Sequence, residues 1–126
     1  MDSSLVSTLQ GRRVLIVEDE LMIRMLLEDM LGDFGCIVAG EAGTIDAAMA
    51  LVRDTAFDVA VLDVNVEGVV ITPVAAELAA RGVPFVFATG YGARGLPDGY
   101  TDRPVVQKPF ETIALERALG VALAGA

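Results

Sequence analysis

The sequence predicts an α/β fold with a doubly wound parallel sheet, and three observations lead there. Five short runs are continuously apolar, as strands covered on both faces must be. Segments with apolar residues at three-and-four spacing separate them, the mark of crossover helices. The polar residues that interrupt the apolar runs fall at their carboxyl ends, where open α/β sheets bind ligands.

Residues 13–17 (RVLIV) are rich in β-branched side chains and too short for a helix, so they read as the first strand, ending in Glu18-Asp19-Glu20. A helix is expected from about Glu20 to Leu31, with Ile23, Leu26, Leu27, Met30 and Phe34 on its core face and Gly32 and Gly35 at its end. Residues 36–39 form the second strand. Thr44 is placed to cap a helix bearing Ile45, Ala48, Met49 and Val52, with Asp46 in its first turn. Residues 58–64 (DVAVLDV) form the third strand. Thr72-Pro73 reads as N-cap and N1 of the next helix, which Gly82 closes. Residues 83–88 and 104–106 supply strands four and five, and a last helix from Phe110 buries Leu115, Ala118, Leu119 and Ala122. The first eleven residues are expected to fray, leaving one domain over about 12–124 within 1–126.

One crossover breaks the pattern. Residues 89–103 (TGYGARGLPDGYTDR) carry four glycines and a proline and lack three-and-four apolar spacing, so the fourth helix is expected to be short or degenerate. A switch element and a plain loop both fit this stretch.

Composition narrows the function. With 9 basic and 18 acidic residues the net charge is −9, which argues against nucleic-acid partners. The absence of His excludes a Ser-His-Asp triad, a His-ligated zinc and a phosphohistidine on this chain. One cysteine, Cys36, excludes an intrachain disulfide and fits a reducing compartment. No apolar stretch approaches the roughly 18 residues of a membrane span, and a cytoplasmic, non-membrane domain is expected.

The chemistry gathers at the strand ends. Glu18 and Asp19 end strand one, Asp63 ends strand three, Thr89 ends strand four and Lys108 follows strand five. With strand order 2-1-3-4-5, strands one and three flank the point where the order reverses. Converging carboxylates repel one another, and a divalent cation with hard oxygen ligands, magnesium or manganese, would relieve this. Asp63 is then the natural nucleophile, because a carboxylate forms an acyl phosphate without a general base. Lys108 would neutralise charge there and Thr89 would donate to a phosphoryl oxygen. Simpler readings stand beside these: the acid run as a helix cap, Asp63 as a turn former, Thr89-Gly90 as a turn start.

The motifs IVEDE, VLDVN, FATGY and QKPF, in this order, resemble those of the receiver domains of two-component response regulators, over about residues 12–124. The resemblance implies a flavodoxin-like, CheY-like topology and a phosphoacceptor Asp63, modified from the phosphohistidine of a kinase or phosphotransfer protein. It implies Mg²⁺ held by Glu18, Asp19, Asp63 and the main-chain carbonyl of Asn65, phosphoryl contacts from Thr89 and Lys108, and a cis peptide between Lys108 and Pro109. The Phe-Ala-Thr-Gly stretch is similar to that of a single-domain subgroup associated with HWE-type kinases. No enzyme acting on an external substrate is implied; output would come through protein contact.

The chain departs from the usual pattern in places. Glu18 stands where many receivers have Asp, so it is expected to reach a metal through water. Val105 stands where most carry a switching aromatic, and a β-branched side chain cannot swing in the same way. The glycine-rich segment, with Tyr91, is the expected substitute. A phosphohydrolase working through an aspartyl-phosphate would want a second Asp at position 65, where Asn65 stands. A flavin module is disfavoured by Glu18-Asp19-Glu20, and a pseudo-receiver that binds without phosphorylation stays open. Leu21, Met22 and Met25 lie off the core face of the first helix, which suits either an extra-buried helix or a docking patch for a kinase.

Overall fold

Alternation within each apolar strand divides the interior into two cores. Val14, Ile16, Val59, Val61, Val86 and Ala88 point to one face of the sheet. Leu15, Val17, Ala60, Leu62, Phe85 and Phe87 point to the other. Side chains two apart share a face of a strand, so a continuously apolar strand must be covered twice.

The computed structural model describes residues 8–90 and 95–125. The elements are β1 Arg13–Val17, α1 Leu21–Asp33, β2 Ile37–Ala42, α2 Ile45–Asp54, β3 Val59–Asp63, β4 Asn65–Val66, β5 Val69–Val70, α3 Thr72–Ala80, β6 Phe85–Thr89, β7 Val105–Gln107 and α4 Thr112–Ala124. The main sheet runs β2-β1-β3-β6-β7 with every pairing parallel. With the small β4–β5 ribbon set aside, this is the expected order 2-1-3-4-5 and the flavodoxin-like three-layer arrangement. Leu27 and Leu31 of α1 and Leu115 and Leu119 of α4 cover the first face. Ala48 and Val52 of α2 and Val74, Ala75 and Leu78 of α3 cover the second.

The helix ends follow their local chemistry. Thr44 caps α2 by accepting the amide of Ala47 at 3.1 Å. At the end of α1, the amide of Gly35 donates to Gly32 and that of Cys36 to Leu31, the two bonds of a Schellman turn, with Gly35 at φ +81°. Gly82 (φ +69°) and Val83 repeat this turn on Ala79 and Leu78 at the end of α3.

Five expectations are corrected. The cap of α3 is Ile71, with no side-chain bond, and Thr72-Pro73 lie inside the first turn, because fully buried Ile71 sets where the helix starts. The last helix begins at Thr112, after Phe110 has been drawn into the core. Leu9, assigned to a fraying terminus, is fully buried and packs in the first core. Leu26 is 38% exposed, and Leu21, Met22 and Met25 are 60%, 81% and 54% exposed, so α1 is not extra-buried. Residues 65–70, assigned no element between the third strand and Thr72, form the β4–β5 hairpin.

Tyr91 lies outside the described residues. Residues 96–104 form turns and bends, and they cover the second core through Leu96 and Tyr100. The Tyr100 ring lies 6.1 Å from both Phe85 and Phe87, tilted against the first and edge-on to the second, and Val105 packs half-buried beside them.

Candidate functional site

The carboxyl edge of the sheet brings the expected residues together. Glu18 and Asp19 follow the end of β1, Asp63 ends β3, Thr89 ends β6 and Lys108 follows β7. Oxygen atoms of Glu18, Asp19 and Asp63 all lie within 4.8 Å of one another. The Lys108 ammonium stands between two of these acids, 2.8 Å from Glu18 Oε1 and 3.3 Å from Asp63 Oδ2. Thr89 is buried, and its carbonyl accepts the amide of Lys108 at 2.9 Å. The Lys108–Pro109 peptide is cis.

Glu18 is locked at every polar atom. Its side chain is 1% exposed; Lys108 Nζ holds one oxygen, and the other accepts the amide of Glu20 at 3.0 Å. Its own amide donates to Ala42 at 2.9 Å, and its carbonyl accepts Arg24 Nη1 at 3.2 Å. The helix-cap reading of the acid run therefore gives way: α1 has Glu20 at its N-cap with no side-chain bond and no acid in its first turn. Burial pushes the Glu18 carboxyl up to about 7, although Lys108 and the Glu20 amide work against the rise. Burial alone would depress Lys108, but its bond to Glu18 and the charge of Asp63 outweigh this and raise it. For Asp19, burial works upward and is overcome by hydrogen bonds, that from the Glu67 amide foremost, so it sits below its ordinary value.

Two contacts had little signal in the sequence. The β4–β5 hairpin turns through Glu67 (φ +51°) and Gly68 (φ +77°), both left-handed as a type I′ turn requires. The turn aims the Glu67 amide at Asp19 Oδ2, 2.9 Å away. A Val-Val run after Glu-Gly was the available cue, weaker than Asn-Gly. Because Ile71 donates to Val64 at 2.8 Å, Asn65 faces Val70 as the pair that exchanges no bonds. The carbonyl of Asn65 is thus left out of the hairpin's own bonding. The second contact is Arg24, which reaches the site's backbone from α1.

The donor set fits a small hard cation. Every ligand atom is oxygen, and the span compares with about 4.2 Å, twice the ~2.1 Å of a magnesium–oxygen bond, for opposed ligands on one ion. Both oxygens of Glu18 already have protein partners, so direct coordination falls more naturally to Asp19 and Asp63.

The sequence profile of the response regulator receiver domain matches residues 14–119. The transcriptional regulatory protein PdtaR of Mycobacterium tuberculosis is 34% identical over an alignment of 116 residues that covers 89% of this chain and 57% of that protein. The chain thus spans little more than half the length of this curated relative. The solution structure of SdrG from Sphingomonas melonis Fr1 is 45% identical and superposes with TM-score 0.80, covering 90% of this chain and 97% of that one. The response regulator PhyR from Brucella abortus is 27% identical with TM-score 0.83, covering 98% of this chain and 52% of that one. Among the described residues, no helix is long and apolar enough to cross a membrane.

Proposed function

The chain belongs to the response regulator receiver domain family, and from that premise we propose that it accepts a phosphoryl group on Asp63 from the phosphohistidine of a kinase or phosphotransfer protein. The observation that carries this is the position of Asp63: at the carboxyl end of a central buried strand, 3.3 Å from Lys108 and within reach of Glu18 and Asp19.

A carboxylate oxygen of Asp63 attacks phosphorus as the P–N bond to the donor imidazole breaks, leaving an acyl phosphate. The sheet fixes the Asp63 backbone, so the attack needs little reordering. Lys108 is pre-oriented by Glu18 and turns its charge from the free carboxylate to the new phosphoryl group. The Thr89 hydroxyl donates to a phosphoryl oxygen. Asp19, Asp63 and the Asn65 carbonyl would hold Mg²⁺ or Mn²⁺ directly, with Glu18 acting through water; the bound cation supplies electrostatic stabilisation to the transferring oxygens. The chain catalyses only its own modification. Its Phe87-Ala88-Thr89-Gly90 stretch and its likeness to SdrG support placement in the single-domain subgroup, as a cytoplasmic protein with an HWE-type kinase as donor and output through protein contact.

Intact mass after incubation with Mg²⁺ and acetyl phosphate tests the reading. One added phosphate on wild type, labile to base and missing from Asp63→Asn, is expected. No addition from acetyl phosphate or any kinase donor would leave a receiver fold that works by binding alone.

A further inference from the structure

The acid pair sits on a connection with few covalent restraints, and one guanidinium ties it down. Arg24, on the second turn of α1, donates from Nη1 to the Glu18 carbonyl at 3.2 Å, and its Nε lies 3.8 Å from Glu41 Oε1 on β2. The Glu18 amide is held by Ala42 at 2.9 Å, so the backbone of Glu18 is gripped on both sides of its α-carbon, at the amide and at the carbonyl that leads into Asp19. Gly43 completes the arrangement: a Cβ there would lie 2.7 Å from Arg24 Nη1, inside contact distance. Any other residue at 43 would force the Arg24 guanidinium to shift.

We propose that Arg24 is a positioning residue for the acid pair and that Gly43 is the spacer that lets it reach the Glu18 carbonyl. The inference rests on the phosphoacceptor reading for its purpose but not for its test. A peptide held this way fixes the directions from which the Glu18 side chain meets Lys108 and Asp19 meets the Glu67 amide. Outer groups that orient metal-binding carboxylates typically change metal affinity by about 10–100-fold when removed.

The test uses the unphosphorylated protein. Hydrogen exchange, first without metal, follows the amides of Glu20 and Glu67, which report on Glu18 and Asp19 respectively. Arg24→Met keeps the aliphatic stem and should speed exchange at both amides at least tenfold, with Val61 in β3 unchanged. Gly43→Ala, which leaves the charge in place, should do the same, and the double variant should lose no more than either single one. Arg24→Lys should recover part of the effect. Mn²⁺ binding, read by electron paramagnetic resonance, should weaken about tenfold in each single variant. Thr44→Ala removes the α2 cap beside Gly43; it should lower the melting temperature yet leave both amides and Mn²⁺ affinity as in wild type. Unchanged exchange at Glu20 and Glu67 in Arg24→Met, or independent effects of the two substitutions, would overturn the proposal. If both amides respond while neither acetyl phosphate nor any kinase donor labels wild type, the positioning role holds and the phosphoacceptor reading fails.

Discussion

The two flanks of the carboxyl edge are held in different ways. On the β1–β3 flank, Glu18, Asp19 and Asp63 are fixed by hydrogen bonds from the Glu20 and Glu67 amides and by ion pairs with Lys108, which reaches across from the end of β7. On the β6–β7 flank, the described part of the crossover is held by side-chain packing: Leu96, and Tyr100 against Phe85 and Phe87, with Arg103 4.4 Å over the Phe85 ring. Directional bonds fix where charge sits, as the proposed phosphoryl transfer would require. Apolar and aromatic packing tolerates small displacements more readily than ion pairs and short hydrogen bonds do.

Three perturbations sharpen this contrast. The largest effect is expected from Lys108→Met, which strips the buried Glu18 carboxylate of its partner. In metal-free protein, denaturant unfolding should show a loss of about 3 kcal/mol at pH 8. The loss should shrink toward pH 5, since a protonated Glu18 needs no counter-charge. The sign in wild type follows from the same group. Glu18 titrates near 7 when folded against 4.5 as its ordinary value, so between those values the folded state binds the extra proton. Metal-free stability should therefore fall as pH rises through that window. A wild-type stability that climbs instead would show that the acid flank is not strained by burial.

Tyr100→Leu should cost about 1 kcal/mol, the typical worth of aromatic pairing beyond burial. Its near-ultraviolet circular dichroism should change while divalent-metal affinity stays that of wild type. A drop in metal affinity would mean that the flanks are not separately held. Gly68→Ala, at φ +77°, should cost about 1 kcal/mol from left-handed strain. Its distinguishing effect is expected at the acid flank, as faster exchange of the Glu67 amide that binds Asp19. No change at that amide would remove the hairpin from the positioning of the site.

Much of this was legible in the residues. The alternation of strands and helices, the Thr44 cap and the placing of Glu18, Asp19, Asp63, Thr89 and Lys108 at the strand ends follow from apolar runs and their polar ends, whereas the strand order came with the family resemblance. The hairpin at 65–70 was less legible, because each strand is two residues long and periodicity needs more. Leu9 was missed because Leu5, Val6 and Leu9 make too short an apolar pattern to mark an element, and only the core that Leu9 enters identifies it.

What the sequence alone determined is therefore the set of chemical groups and the edge of the sheet on which they meet. Strand periodicity and the ends of apolar runs are local properties, carried by a few neighbouring residues. What the tertiary structure decided is how those groups are paired. Glu18 binds Lys108, 90 positions away, and the Glu67 amide, 48 positions away, serves Asp19. The Arg24 guanidinium rests where Gly43 leaves room. Pairings across such separations depend on which loops the sheet order places side by side and on angstrom-scale clearances that no local pattern encodes.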